Sequence, residues 1–81
     1  MILLPVQCRM ARAALGIGVR DLAAAAKVSI DTVVRFERGD VLKERTVDAL
    51  QRALETAGVV FIDENGGGPG VRLRKRQQQN G

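Results

Sequence analysis

The spacing of apolar residues between Leu22 and Gly39 restricts the fold of this chain more than any other feature of its sequence. Leu22 and Ala26 lie at helical spacing, and a second helical pattern begins after a connection of only three residues, KVS. Ser29 is suited to cap the second helix, which should end before Gly39. A connection this short needs a buried apolar residue to hold the two helices at their angle, and Val28 can fill that role. The segment therefore predicts a helix-turn-helix arrangement.

The second helix of this arrangement has an apolar side and a charged side. At about 100° of rotation per residue, Val33 and Phe36 point to one side and Glu37 lies close to them. Ile30 falls at the edge of that side. The opposite side presents three charged residues, Asp31, Arg35 and Arg38. Thr32 and Val34 lie on the flanks between the two sides.

Two further helices flank the segment. The first is predicted from Pro5 to Leu15 and should stop at Gly16, with Cys8 on its buried face as a small core residue rather than a redox sensor. That face consists of Cys8, Ala11, Arg12 and Leu15. The stretch TVDALQRALETAG predicts a last helix that ends at Gly58. Its apolar stripe consists of Val47, Leu50, Leu54 and Ala57.

After Gly58 the sequence favours strands. VVFID is β-branched and aromatic, VRLR alternates between apolar and basic residues, and ENGGGPG between them is a loop. We expect a β-hairpin with Val71 and Leu73 facing the core and with Arg72 and Arg74 facing water. No Lys-Ser or Lys-Thr follows the glycines, so they do not predict a phosphate-binding loop.

The predicted fold is thus mainly α. A four- to five-helix bundle with the helix-turn-helix spans residues 1–58, a C-terminal β-hairpin spans residues 59–74, and residues 75–81 form a disordered tail. A core this small is often supplemented by dimerisation. The edge strand Val59–Asp63 could pair with its copy in a second subunit. The stripe of the last helix could contribute if the monomer core does not use all of it.

The composition excludes several classes of function. The chain has no His, Trp or Tyr and a single cysteine, Cys8, which excludes His-centred acid–base catalysis and zinc sites with several Cys and His ligands. We therefore expect no enzyme, no metal and no other cofactor. The lone cysteine favours a reducing cytoplasm, and the apolar run in MILLPVQCRM is too short for a secretory signal or a membrane helix. A net charge of +4 suits a polyanionic partner without establishing one.

The stretch CRMARAALGIGVRDLAAAAKVSIDTVVRFERGD resembles the Cro and phage-repressor-like (XRE) helix-turn-helix family, with RFERG closing the recognition helix. The resemblance runs from about Cys8 to Gly58, and AGVVFIDENGGGPGVRLRK is similar to the C-terminal extension of small bacterial members. It implies that the helix after Ser29 enters the major groove of double-stranded DNA and that homodimers occupy two half-sites.

The resemblance also implies roles for individual residues. The positions that meet base edges are occupied by Ile30, Asp31, Thr32 and Arg35. Those that meet phosphate are occupied by Ser29 and Arg38, while Arg12 and Glu37 match an internal ion pair. Family members commonly contact phosphate through a glutamine at the position that Val19 occupies here. Arg20, the next residue, is expected to supply positive charge in its place, and Lys43 is expected to contribute to phosphate binding as well.

Three of these residues have two interpretations. Asp31 could accept a hydrogen bond from the amine of cytosine, or it could complement the helix dipole beside the Ser29 cap, which we favour. The Arg35 fork matches guanine O6 and N7, and the alternative is a solvated surface charge. Ile30 is expected either to contact a base or to lie partly in the core.

The sequence thus predicts a dimeric, sequence-specific transcriptional regulator, such as a repressor on a two-fold operator. The alternative is a protein-interaction module of the same fold, an antitoxin-like or anti-activator partner.

Overall fold

The computed structural model describes residues 2–74, which form four helices and a two-stranded antiparallel sheet. The helices are α1 (Pro5–Leu15), α2 (Val19–Ala26), α3 (Ile30–Glu37) and α4 (Glu44–Ala57), and the strands are β1 (Val59–Ile62) and β2 (Gly70–Leu73). The chain is therefore mainly helical with a C-terminal hairpin, as its sequence predicts. The disorder expected for residues 75–81 lies outside the described residues. None of the helices within residues 2–74 has the length and hydrophobicity that a membrane span requires.

The first three helices end in the same way. Each is followed by a residue in the left-handed conformation, and the next backbone N–H donates a hydrogen bond to the carbonyl five residues earlier. After α1 and α3 the left-handed residue is a glycine, Gly16 at φ 69° and Gly39 at φ 103°. After α2 it is Lys27, at φ 60°, the one non-glycine residue of 2–74 with positive φ. The closing bond runs from Val28 N–H to Ala23 O at 3.0 Å. It turns the half-buried Val28 towards the core, as the sequence predicts.

The core forms where the four helices and β1 meet. Its buried apolar residues are Leu3, Cys8, Ala11, Leu22, Ala23, Val33, Phe36, Leu50, Leu54 and Val59. Leu50 and Leu54 are fully buried, so the monomer uses these two members of the α4 stripe and leaves neither for a dimer interface. The prediction for Ala57 was wrong, because it is exposed at the last position of α4, where Gly58 (φ 124°) turns the chain into β1.

The hairpin pairs Val59 with Leu73 and Phe61 with Val71. Opposite residues of an antiparallel pair share a face, and on this face Val59 is buried while Val71 is half-buried against the core. The prediction that Leu73 faces the core was wrong, since 54% of its surface is exposed. It occupies the last position of β2, at the open end of the ladder, where fewer neighbours cover it. Arg72 and Arg74 are exposed, as expected.

Gln7 joins α1 to the hairpin. Its side chain is buried, and its amide nitrogen Nε2 donates to Ile62 O at 3.0 Å and to Gly70 O at 3.1 Å. Its oxygen Oε1 accepts from Leu4 N–H at 3.0 Å. The side chain therefore satisfies both an orphan donor at the start of α1 and two carbonyls at the loop end of the hairpin. The contact with Leu4 is local, but no local sequence pattern indicated the contacts with Ile62 and Gly70, because these residues lie far along the chain.

Candidate functional site on helix α3

Helix α3 is packed on one side and open on the other. Val33, Phe36 and Glu37 are buried. On the opposite side Asp31 and Arg38 are exposed, and Arg35 shows 42% of its side chain to solvent. The predicted division of the helix into two sides is therefore correct. The open side is an outward ridge, which we define as Asp31, Arg35 and Arg38.

Two apolar residues flank this ridge at the surface. Ile30 is 41% exposed and Val34 is 42% exposed, one helical turn apart. Ile30 is not among the buried core residues, but its partial exposure is compatible with both of its interpretations. In the loop after α3, Val41 is 94% exposed.

The start of α3 is capped by Ser29 alone. Its hydroxyl Oγ accepts from Thr32 N–H at 3.0 Å and lies 2.7 Å from Thr32 Oγ1. Asp31 lies in the first turn, where its charge complements the helix dipole, and its exposed carboxylate makes no hydrogen bond to any residue of 2–74. Thr32 is thus occupied in the cap, whereas the carboxylate of Asp31 is open to a ligand.

The end of α3 is an ion cluster that the sequence analysis missed. The carboxylate of Asp40 lies 3.0 Å from Arg38 Nη2 and 3.4 Å from Arg35 Nε. Hydrogen bonding to Arg38 lowers the pKa of Asp40 below its usual range, and Asp40 raises the pKa of Arg38. An acidic residue directly after the glycine that ends α3, with arginines two and five positions earlier, is the sequence signal that would have found it.

A groove of about 530 Å³ lies between α3 and the start of α4. Its lining consists of Val28, Ser29, Thr32, Arg35, Val41, Leu42, Lys43 and Thr46. It brings together four residues predicted to contact DNA: Ser29, Thr32, Arg35 and Lys43. The other four, Arg20, Ile30, Asp31 and Arg38, are exposed but do not line it.

The ion pair expected between Arg12 and Glu37 is present and fixes α3 on α1. Arg12 Nη2 and Nε donate to Glu37 Oε1 and Oε2, both at 2.7 Å, which is a bidentate geometry. Arg9 also donates to the backbone carbonyl of Glu37. Burial alone would raise the pKa of Glu37, but the hydrogen bonds from Arg12 and Cys8, together with the charges of Arg12 and Arg9, outweigh it and lower the pKa. Burial, together with the Glu37 carboxylate, raises the pKa of the Cys8 thiol, so Cys8 is an inert core residue.

Comparison with models of known protein families finds no match for this chain, and a search of curated proteins finds none. The resemblance to the XRE family therefore remains a prediction from the sequence.

Proposed function

We propose that this protein is a sequence-specific DNA-binding transcriptional regulator of the XRE type. In this proposal α2, the turn at residues 27–29 and α3 form a helix-turn-helix, and α3 enters the major groove. The observation that supports it best is the outward ridge, three charged residues on the side of α3 opposite Val33 and Phe36. An α-helix such as α3, about 10–12 Å in diameter with its side chains, fits a groove about 12 Å wide.

Each part of this surface has a role in the proposal. Arg35 donates to guanine O6 and N7, and Asp31 accepts from the amine of cytosine. Ile30 and Val34, exposed beside the ridge, are suited to contact the methyl group of thymine. Arg20, Arg38 and Lys43 contact phosphates, together with the hydroxyl of Ser29.

The ion pair of Arg12 and Glu37 supports this function indirectly. A reading helix must keep its position relative to the DNA backbone to within a fraction of an ångström. The bidentate pair joins the end of α3 to α1, and the fully buried Val33 holds its middle. These contacts hold the helix that carries the ridge in one position against the rest of the fold.

We propose that the regulator binds a two-fold operator as a homodimer. Within residues 2–74, two surfaces are suited to the interface. One is the edge of β1, which has a paired neighbour on one side only in the described sheet. The other is the apolar start of the chain, where Leu4, Val6 and Met10 are 37%, 40% and 37% exposed. Sedimentation as a monomer at high concentration, both with and without operator DNA, would contradict this part of the proposal.

The test of function is selection of bound sites from random DNA, followed by affinity measurements on one variant and its control. A dimeric regulator should enrich an inverted repeat. Arg35→Ala should weaken binding to the selected site by about 10- to 100-fold and lose the preference at one guanine. Arg52→Ala is the control, because Arg52 is an exposed arginine on α4. The proposal is refuted if the selection enriches no DNA sequence, or if Arg35→Ala and Arg52→Ala bind the selected site with equal affinity.

A protein-interaction module is the second candidate, and the charge balance of the surface favours it. The negative charges of Asp31 and Asp40 offset the positive charges of Arg35 and Arg38, so the net charge of these four side chains is zero. The apolar Ile30, Val34 and Val41 are exposed beside them. If selection recovers no sequence, and if Val34→Asp abolishes capture of a protein partner that Arg52→Ala retains, this candidate replaces the first.

A further inference from the structure

Asp40 lies directly after the turn that ends α3, and one carboxylate contacts two arginines of the proposed DNA-binding surface. Oδ2 accepts from Arg38 Nη2 at 3.0 Å and from Arg35 Nε at 3.4 Å, and Oδ1 accepts from Arg38 Nε at 3.3 Å. The backbone fixes the position of Asp40, because its N–H donates to Arg35 O at 3.0 Å after the left-handed Gly39. The carboxylate is thus held beside the end of α3 by the fold of the turn.

The two arginines are contacted on different parts of their guanidinium groups. Arg38 uses Nε and Nη2, which is the side edge of its fork. Arg35 uses only Nε, and within residues 2–74 its terminal nitrogens Nη1 and Nη2 make no hydrogen bond. A guanine requires two parallel N–H donors, and this free end of Arg35 provides them. The contact with Asp40 therefore restrains Arg35 without occupying the donors that a base needs.

The same carboxylate opposes binding to any DNA backbone. Non-specific binding comes from cations that replace counterions at phosphates, and it does not depend on base sequence. Asp40 offsets one of the two positive charges at the end of α3 and repels phosphate oxygens that approach them. Arg38 is 63% exposed in its side chain, so it can exchange the carboxylate for a phosphate once the protein is bound in register.

Resting on the DNA-binding function proposed above, we propose that Asp40 is a specificity-determining residue. It orients Arg35 for a guanine and lowers the affinity of the α3 surface for phosphates at unrelated sequences. Both effects raise the ratio of specific to non-specific affinity, which is the quantity that a regulator needs among many competing sites. Asp40 acts on DNA through Arg35 and Arg38 and needs no contact with a base.

The test compares Asp40→Asn with Asp63→Asn, which makes the same change of charge at an exposed residue of the hairpin loop. Affinities for the selected operator and for a random-sequence duplex are measured over a range of salt concentrations. Asp40→Asn should bind the random duplex about tenfold more tightly than the wild type, and the slope of log affinity against log salt should steepen by about one. Its ratio of operator to random affinity should fall about tenfold.

A purely structural role for Asp40 would change thermal stability but neither the salt slope nor the affinity ratio. Asp40→Ser removes the charge without introducing an amide and should repeat the result. If the wild type enriches an operator, and both Asp40 variants match Asp63→Asn in slope and ratio, the role of Asp40 is refuted while the DNA-binding function stands. If the wild type enriches no sequence, the DNA-binding function fails and the role of Asp40 fails with it.

Discussion

Replacing Arg12 with methionine removes the charged partner of Glu37 and keeps most of the volume of the side chain. The side chains of Arg12 and Glu37 are 20% and 9% exposed, so the pair is largely withdrawn from water. Loss of one partner from a buried pair costs about 3–5 kcal/mol, because the remaining charge has no compensation. Water can reach the partly exposed position 12, so we expect a decrease near the lower limit, about 3 kcal/mol in the free energy of unfolding. Urea denaturation followed by circular dichroism measures it at pH 7.

The pH dependence separates lost charge compensation from lost packing. In the wild type the pKa of Glu37 lies below its ordinary value, so the pair stabilises the fold above the unfolded-state pKa of about 4.3. That stability is lost as the pH falls through the lower pKa of the folded state. In Arg12→Met, the effect of burial on Glu37 is no longer offset by Arg12, so the pKa of its carboxyl group rises above that in the wild type. The difference between variant and wild type should therefore shrink between pH 7 and pH 4.

A second substitution completes the test. Arg12→Met with Glu37→Leu removes both charges, and the pair of apolar side chains should recover most of the lost stability. Two results would refute the reasoning: a difference of about 3 kcal/mol that is independent of pH, or a double variant no more stable than the single one. Either result would mean that Arg12 stabilises the fold by packing rather than by charge.

Three further predictions concern other parts of the chain. Gln7→Leu leaves Leu4 N–H and two hairpin carbonyls without their partner and should lower the free energy of unfolding by about 2 kcal/mol or more, as measured in urea. Lys27→Val places a β-branched residue at φ 60° and should lower it by more than about 1 kcal/mol, whereas Lys27→Gly should not lower it, which differential scanning calorimetry can test. Cys8, buried with a raised pKa, should react with Ellman's reagent only as fast as the protein unfolds, and rapid labelling of the native state would contradict this.

The bounds of the helices follow from interactions over a few residues, so the sequence predicts them well. Pro5 and Gly16 delimit α1, and Ser29 and Gly39 delimit α3, because caps and left-handed glycines act within one helical turn. The division of α3 into a packed and an open side follows from its period of 3.6 residues. These local rules are sufficient to predict the outward ridge from the sequence.

Only the tertiary structure determines the contacts between residues that are far apart in the sequence. The contacts of Gln7 with Ile62 and Gly70 span 55 and 63 residues, and no local pattern specifies such a pairing. The use of Leu54 in the core and the exposure of Leu73 depend on how far the neighbouring elements extend over them. The ion cluster at the end of α3 is local by contrast, since the turn at Gly39 brings the carboxylate of Asp40 back onto arginines two and five positions earlier, but helical periodicity alone does not predict it. Periodicity shows which way a side chain points, whereas its partners are set by how the chain folds back.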